Sequence, residues 1–550
     1  MKPTNKLPYL SLAAIAASCG CTDNKQPQQP NIILMMTDDH TTQALSCYRP
    51  GLVDTPNLDR LAEEGMLFKD CFVTNAISGP SRACILTGKY SHINGFTDNS
   101  KTFDGSQQTF PKLLHDAGYQ TAMIGKWHLN SDPQGFDHWS ILVGQGEYYN
   151  PTFVENGVTR DEKGYVTDII TDKAISFIEN RDKSKPFAML YYHKAPHRNW
   201  IPAQRHLGMN ENKVYPEPDN LLDDYSGRGR AAREQEMQIG RDMWPAWDLK
   251  LLYPEEFENV GDLANTGDAN KDDVNRANSE LNATMQWKAA YDRMTDSEKA
   301  ALDAAYAPRR AEWRAIKDTA SIETITRWKF QQYMKDYTAV ITAVDENVGR
   351  LMAYLEKIGE LDNTIIIYTS DQGFFLGEHG WFDKRLMYNE CHRTPLLVRY
   401  PGAVKAGSTT DAMALNIDLA PTLLDFAGVS IPEDIQGVSL KPVLCNGGSE
   451  PHGWRDAVYY HYYEYPSWHS VKRHYGVRTR DYKLIHFYND VDEWELYDLR
   501  KDPKEMHSVY GDPEYAAVKA ELEAKMSALQ QQYKDTDPTE QENSFTIGKN

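Results

Sequence analysis

The chain has 550 residues, 41% hydrophobic and 25% charged, the make-up of a globular protein too long for one ordinary core, so a large and a smaller domain are expected. Lys and Arg number 59 against 79 Asp and Glu, a formal charge of −20, which argues against nucleic acid as a partner.

Met1 to Ser18 carry Lys2 and Lys6, then the apolar stretch Leu7 to Ala17, too short to span a bilayer and ordered like a secretory signal. Small residues before Cys19 resemble a bacterial lipobox, with Cys19 as the lipidated first residue; an ordinary cleaved signal is the alternative. The reading is a signal region over 1–21, a polar tether over 22–30, and export as a periplasmic or cell-surface lipoprotein that meets the membrane only through its lipid. Cys47, Cys71, Cys84, Cys391 and Cys445 form no CxxC pair and are odd in number, so they read as scattered buried thiols.

Asn31 to Thr37 is a continuous apolar run, the pattern of a strand buried on both faces, and it ends in Asp38-Asp39-His40. A helical pattern over Thr55 to Gly65 presents Leu58, Leu61 and Ala62 on one face. Met66-Leu67-Phe68 then leads to a small-residue loop from Ser78 to Gly88, in which Pro80 disfavours helix at Gly79. Gln108 to Gly118 is helical, and the strand Tyr119 to Gly125 delivers Lys126-Trp127-His128. After a helix over Ile169 to Asn180, the strand Phe187 to Tyr192 leads to His193 and His197. Residues 205–330 read as a helical insertion, with a capping box at Thr295-Asp296-Ser297-Glu298 opening a helix through Tyr306. Tyr333 to Lys357 is a long helix, and the strand Thr364 to Thr369 stops at Ser370-Asp371-Gln372-Gly373.

Four apolar strands that alternate with helices and end in ionisable residues predict an α/β domain over 31–445. Its sheet is mostly parallel, lies between helices, and gathers those strand ends at one crevice. Beyond about 445 the alternating segments Ala457 to Tyr463, His474 to Thr479, Lys483 to Tyr488 and Trp494 to Leu499 predict an antiparallel sheet. A helix over Tyr515 to Tyr533 completes a smaller α+β domain, 446–550.

Asp38, Asp39, Asp371 and Gln372 offer only oxygen, a set for a hard cation, calcium first and magnesium second. Without an ion the adjacent Asp38 and Asp39 would repel.

Ser78, Pro80, Ser81, Arg82, Thr87 and Gly88 stand at the positions of the formylglycine signature, so the chain resembles a type I sulfatase of the alkaline phosphatase superfamily. The resemblance implies that a radical maturase oxidises Ser78 to formylglycine, whose hydrate attacks sulfur. It also implies that Asp38, Asp39, Asp371, Gln372 and the modified Ser78 hold calcium; Gln372 stands where asparagine is commonest but keeps the amide oxygen. Arg82, Lys126 and Lys384 would bind the sulfate, Asp371 would deprotonate the attacking diol, and His197 would help protonate the leaving alcohol. His128 would take the hydrate's second proton so that sulfate is expelled. His193 and His379 read as structural. A sulfated substrate is itself an anion, so a cation with a few basic side chains must invert the local field.

Gly135 to Trp139, Gly144 to Pro151, His197 to Trp200 and Lys472 to Arg478 look like the N-acetylglucosamine-6-sulfatase branch. They imply an exo-acting enzyme that removes the 6-O-sulfate from terminal N-acetylglucosamine in heparan, keratan or mucin-type glycans. Asp383 and Arg385, flanking Lys384, and His474 from the second domain are the candidates for the sugar; Trp468 could stack on it, although packing explains an aromatic there more simply. The rivals are a sulfatase for another sugar position, a phosphodiesterase or phosphonate hydrolase of the same superfamily, and a surface lipoprotein that binds sulfated glycans without turnover.

Overall fold

The computed structural model describes residues 29–253, 256, 271–536 and 538–539, with side chains of the segment 271–279 excepted. The signal and lipidation segment, most of the tether, part of the insertion and the last residues lie outside the described residues. Among the described residues no helix is long and apolar enough to cross a membrane.

Strands β1 (Asn31–Thr37), β2 (Met66–Phe68), β3 (Gln120–Gly125), β4 (His138–Leu142), β5 (Thr152–Glu155), β6 (Val158–Asp161), β7 (Phe187–Tyr192), β8 (Thr364–Ser370), β9 (Leu396–Arg399) and β10 (Ser408–Thr410) form a ten-stranded sheet. Its order is β10-β2-β9-β8-β1-β7-β3-β4-β5-β6. The central strands β8, β1, β7 and β3 run parallel, and antiparallel pairs enter toward both edges.

Every residue of β1, β7 and β8 is buried, which is why these segments read as unbroken apolar runs. Alternate side chains of β1 enter opposite cores. Ile33 and Met35 pack with α1 (Pro56–Glu63), α4 (Val166–Asn180) and α6 (Ile322–Lys357), whereas Ile32, Leu34 and Met36 pack with α2 (Ser78–Thr87), α3 (Phe110–Asp116) and α7 (Leu419–Phe426). The sheet is thus filled on both faces by the two-residue period of a strand.

The expected capping box at Thr295 is present. The helix it opens, α5 (Asp296–Ile316), runs beyond Tyr306 because the residues after Pro308 are anchored: Arg309 to Asp336 at 2.6 Å and Arg310 to Asp303 at 2.7 Å. α6 begins at Ile322, well before Tyr333, with Ser321 capping the Thr324 amide.

The C-terminal strands β11 (Ala457–Tyr462), β12 (His474–Thr479), β13 (Tyr482–Phe487) and β14 (Glu493–Asp498) form an antiparallel sheet in sequence order. One face is covered by α8 (Ala516–Tyr533) through Leu522, Met526 and Tyr533. The other packs on Trp381, Leu386, Met387 and Tyr388 of the large domain. The smaller sheet therefore backs the segment that carries Lys384. Among the described residues the five cysteines are free; Cys445 is exposed instead of buried, and Cys47 is half-buried.

Candidate active site

Register brings the strand ends together. Thr37 lies opposite Ser370, Met36 opposite Tyr192, and Gly125 opposite Tyr192. The residues just past these pairs are Asp38, Asp371, His193 and Lys126, so one sheet edge collects the ionisable groups, as expected for a parallel sheet.

Ser78 is the first residue of α2, and its hydroxyl donates to Asp38 Oδ1 at 3.1 Å. The expectation of a loop from Ser78 to Gly88, with helix disfavoured at Gly79, is corrected: the segment is helical from Ser78 to Thr87. Proline is tolerated in a first helical turn, where its missing N–H has no intrahelical partner.

Arg82, one turn on, is fully buried. Its Nε and Nη2 donate to Asp371 Oδ2 at 3.1 and 2.9 Å, Nη2 also donates to Asp38 Oδ2 at 2.9 Å, and Nη1 donates to the Lys126 carbonyl at 2.6 Å. Lys126 Nζ pairs with Asp38 Oδ2 and Lys384 Nζ with Asp39, at 2.7 Å to Oδ1 and 2.8 Å to Oδ2. His197 Nδ1 donates to the Arg198 carbonyl at 2.7 Å, which leaves Nε2 free, 4.0 Å from Asp39 Oδ2. Asp39 turns into the site on a left-handed backbone, φ 68°, held by its amide on Asp371 Oδ1 at 3.2 Å and by Tyr337, whose hydroxyl donates to its carbonyl at 2.7 Å.

Three carboxylates with no exposure meet here. Burial, with Asp38 and Asp371 nearby, pushes Asp39 up to about 7 against the pull of Lys384. Burial and the Asp38 charge push Asp371 up to about 6. Asp38 is buried as deeply, yet Lys126, with Arg82 and Lys384, holds it well below the usual range. Gln372 donates from Nε2 to Asp39 Oδ1 at 2.6 Å, while its Oε1 is buried without a partner. That orphaned oxygen, beside carboxylates that repel one another, fits a hard divalent cation held by Asp38, Asp39, Asp371 and Gln372. Asp38, Asp39 and His197 also bring ligand atoms within 4.8 Å of one another. Burial, with Lys126 adding, holds His128 and His197 well below the ordinary histidine range.

Beside Lys384, Asp383 Oδ2 lies 3.2 Å from His469 Nε2 and 3.8 Å from Arg198 Nη1, and Asp383 Oδ1 takes Arg385 Nη1 and the Lys384 amide. Asp383 and Arg385 both stand on left-handed backbone, φ 77° and 98°. His474 is not part of this group. It is fully buried between Tyr460 and Phe487, its Nδ1 donates to the Lys472 carbonyl at 2.8 Å, and its Nε2 accepts from the Met387 amide at 3.1 Å, so no ring atom remains for a sugar. The second-domain histidine at the site is His469. Trp468 beside it is half exposed.

Sequence reasoning also missed Gln145, Arg198 and Asp248. Gln145 accepts from Lys126 Nζ and donates to His128 Nε2 at 3.0 Å. Arg198 forms a two-pronged pair with Asp248 at 2.9 and 2.7 Å and donates to His469 Nε2 at 3.0 Å. Gln145 and Arg198 lie in runs singled out above, which was the available signal. Asp248 is in the insertion and had none. The insertion therefore helps to wall the site: Glu236 exchanges backbone and ring hydrogen bonds with His469, and the Phe382 amide donates to the Met237 carbonyl at 2.9 Å.

A sulfatase family model matches residues 30–429, and a second, described as N-sulphoglucosamine sulphohydrolase, C-terminal, matches residues 377–532. An N-acetylglucosamine-6-O-sulfatase of Bacteroides thetaiotaomicron is 60% identical over 546 residues, 98% of this chain and 94% of its own. The human N-acetylglucosamine-6-sulfatase is 29% identical over 465 residues, 79% of this chain and 67% of its own. A structure solved in complex with its substrate, D-glucosamine-2-N,6-O-disulfate, matches with a TM-score of 0.87 at 61% identity, over 94% of this chain and 100% of that one. A phosphonate monoester hydrolase of Agrobacterium radiobacter, 20% identical with a TM-score of 0.64 over 92% of this chain and 96% of its own, shares the fold alone.

Proposed function

Because the chain belongs to the sulfatase family, we propose that it removes the 6-O-sulfate from a terminal glucosamine, N-acetylated or N-sulfated, of a sulfated glycan. The observation that carries this is the Ser78 hydroxyl on Asp38, inside one cluster with Arg82, Lys126, Lys384, Asp39 and Asp371.

Asp38, Asp39, Asp371, Gln372 and the modified Ser78 would hold a divalent cation, calcium by ligand type with magnesium as the alternative. Formylglycine, made at Ser78 by a radical maturase, and the ion together supply a hydrated aldehyde nucleophile and its polarisation. The remaining work falls to side chains of this chain. Arg82, Lys126 and Lys384 surround the sulfuryl oxygens with fixed positive charge in a buried setting, where preorganised charge acts strongly. A carboxylate oxygen of Asp371 accepts the attacking hydroxyl's proton. His197 faces the leaving alcohol with Nε2, because Nδ1 is committed to the Arg198 carbonyl; once the bound sulfate anion offsets the surrounding positive charge and Nε2 takes up a proton, the imidazolium gives that proton to the leaving oxygen. His128 removes the later proton through Nε2. Asp383 and Arg385, with His469 and Arg198 behind them, are placed to take sugar hydroxyls. Export as a lipoprotein anchored through Cys19 completes the proposal.

Sulfate release from 6-, 3- and N-sulfated monosaccharides tests it, with peptide mass analysis of the Ser78 segment. Release from the 6-sulfated sugar and a Ser78 residue lighter by two hydrogens are expected. Release only from another position would overturn the sugar assignment. An unconverted Ser78 with sugar binding but no release would favour the non-catalytic lipoprotein.

A further inference from the structure

Gln145 is exposed, yet its carboxamide reaches two groups of the site: Oε1 accepts from the buried Lys126 Nζ and Nε2 donates to His128 Nε2 at 3.0 Å. Lys126 is the cation assigned to the sulfuryl group, and His128 Nε2 is the atom assigned to the late proton transfer. In the structure as it stands, one neutral side chain covers both.

The segment bearing Gln145 is a short tip on fixed supports. Before it, the Val143 amide donates to the Thr152 carbonyl at 3.3 Å, and after it the buried Tyr148 donates from its hydroxyl to the His197 carbonyl at 2.6 Å. Between them the Gly146 amide closes a turn on the Val143 carbonyl at 2.9 Å, and Val143 is left 51% exposed. Gly144 and Gly146 stand at φ 55° and 71°, conformations that glycine leaves and re-enters without a side-chain penalty. A methyl on Gly144 would meet nothing within 4 Å. A Cβ on Gly146 would instead lie 2.7 Å from Leu142 Cδ1, so the tip has room to move on its Gly144 side while its Gly146 side rests on Leu142. Beyond the carboxamide's own two bonds, the contact from Lys194 Nζ to the Gln145 carbonyl is long, 3.4 Å.

We propose that Gln145 is a positioning residue that the substrate's sulfate displaces, an inference that rests on the sulfatase reading above. Its amide oxygen occupies on Lys126 the place of a sulfuryl oxygen. A charged acceptor makes a hydrogen bond roughly twice as strong as a neutral one, so the anion wins the exchange. Departure of the carboxamide also frees His128 Nε2. Loading of the anion and release of the base are one event, and His128 stays held in a single tautomer until a sulfate is present.

Isothermal titration with inorganic sulfate tests this on the full-length, metal-loaded enzyme, its Gln145→Ala variant and its Gln145→Glu variant, alongside KM and kcat on 6-sulfated N-acetylglucosamine. Gln145→Ala is expected to bind sulfate about three- to tenfold more tightly and to lower KM, because the competing acceptor is gone. Gln145→Glu is expected to bind sulfate about tenfold or more weakly, because its carboxylate forms an ion pair with Lys126, and the deficit should shrink as pH falls through the glutamate range. Weaker sulfate binding or a raised KM in Gln145→Ala would overturn the proposal, as would three equal affinities. A wild-type enzyme that binds sulfate in the expected order of variants but releases none from any sugar would instead sink the sulfatase reading.

Discussion

Arg82 joins three parts of the site at once, and no other residue type could do so from its position. Its planar fork serves Asp371 through two nitrogens while reaching Asp38 and the Lys126 carbonyl, a geometry that the single ammonium of lysine lacks. Arg82→Lys is therefore expected to keep the charge and lose the alignment, with kcat falling about 100-fold or more and KM moving less. Arg82→Ala strips the buried Asp371 of its guanidinium and leaves Asp38 with Lys126 alone, a loss of about 3–5 kcal/mol that a lowered melting temperature will register. A kcat for Arg82→Lys within a fewfold of the wild type would remove Arg82 from the mechanism. Residues at this scale were legible where chemistry is local in sequence, as with Ser78, Arg82 and the Asp38-Asp39 pair. His474 misled because a polar residue on an alternating strand carries no mark of which face it joins. His469 was the better candidate, but it turns toward Asp383 on a left-handed backbone, φ 68°, that no pattern announces.

Element ends, more than element interiors, decide where the chemistry sits. The strands were readable because a run apolar on both faces has few alternatives in an α/β chain, and the observed bounds of β3, β7 and β8 fall within a residue of those expected. The segment from Glu236 to Asp248 was not readable as part of the site. Its role depends on bonds to partners far along the chain, the Glu236 amide to the His469 carbonyl at 2.7 Å and Asp248 to Arg198. Two variants test the element level. At the end of β3, Gly125 has φ 106°, and a Cβ there would lie 1.8 Å from the Tyr192 carbonyl oxygen, so Gly125→Ala must push β3 from β7 and displace Lys126. Poor folding, or a folded enzyme with little activity, is expected; near-normal kcat would show that the strand end tolerates what the geometry forbids. Asp248→Asn keeps the shape but removes the charge opposite Arg198, and KM for the sugar should rise about tenfold with a smaller change in kcat, since the pair stands behind the sugar side and not the sulfate side.

Ion binding and pH are coupled through the whole protein, and the sign follows from the shifts. In the ion-free chain Asp39 titrates near 7 and Asp371 near 6, both raised from the ordinary 3.8. The folded state therefore holds those protons more tightly than the unfolded one. That contribution is complete below about pH 4 and is lost as pH rises through 6 and 7, by up to about 1.4 kcal/mol per group per pH unit. A bound divalent cation keeps both carboxylates ionised and removes that loss, so ion affinity must rise with pH across the same window, by up to about tenfold per proton released per unit. Histidines act in the opposite direction. Burial holds His40 near 4 and His193 and His474 near 3, so the stability they contribute is present above about 6.5 and is lost as pH falls toward 4. Ion-loaded and chelated protein share that histidine effect, and it cancels in their difference. Melting temperatures with calcium and with chelator, measured in parallel from pH 5 to 8, should therefore show a gap that widens as pH rises. A gap that stays constant or narrows would mean that Asp39 and Asp371 are not the carboxylates that surrender protons to the ion.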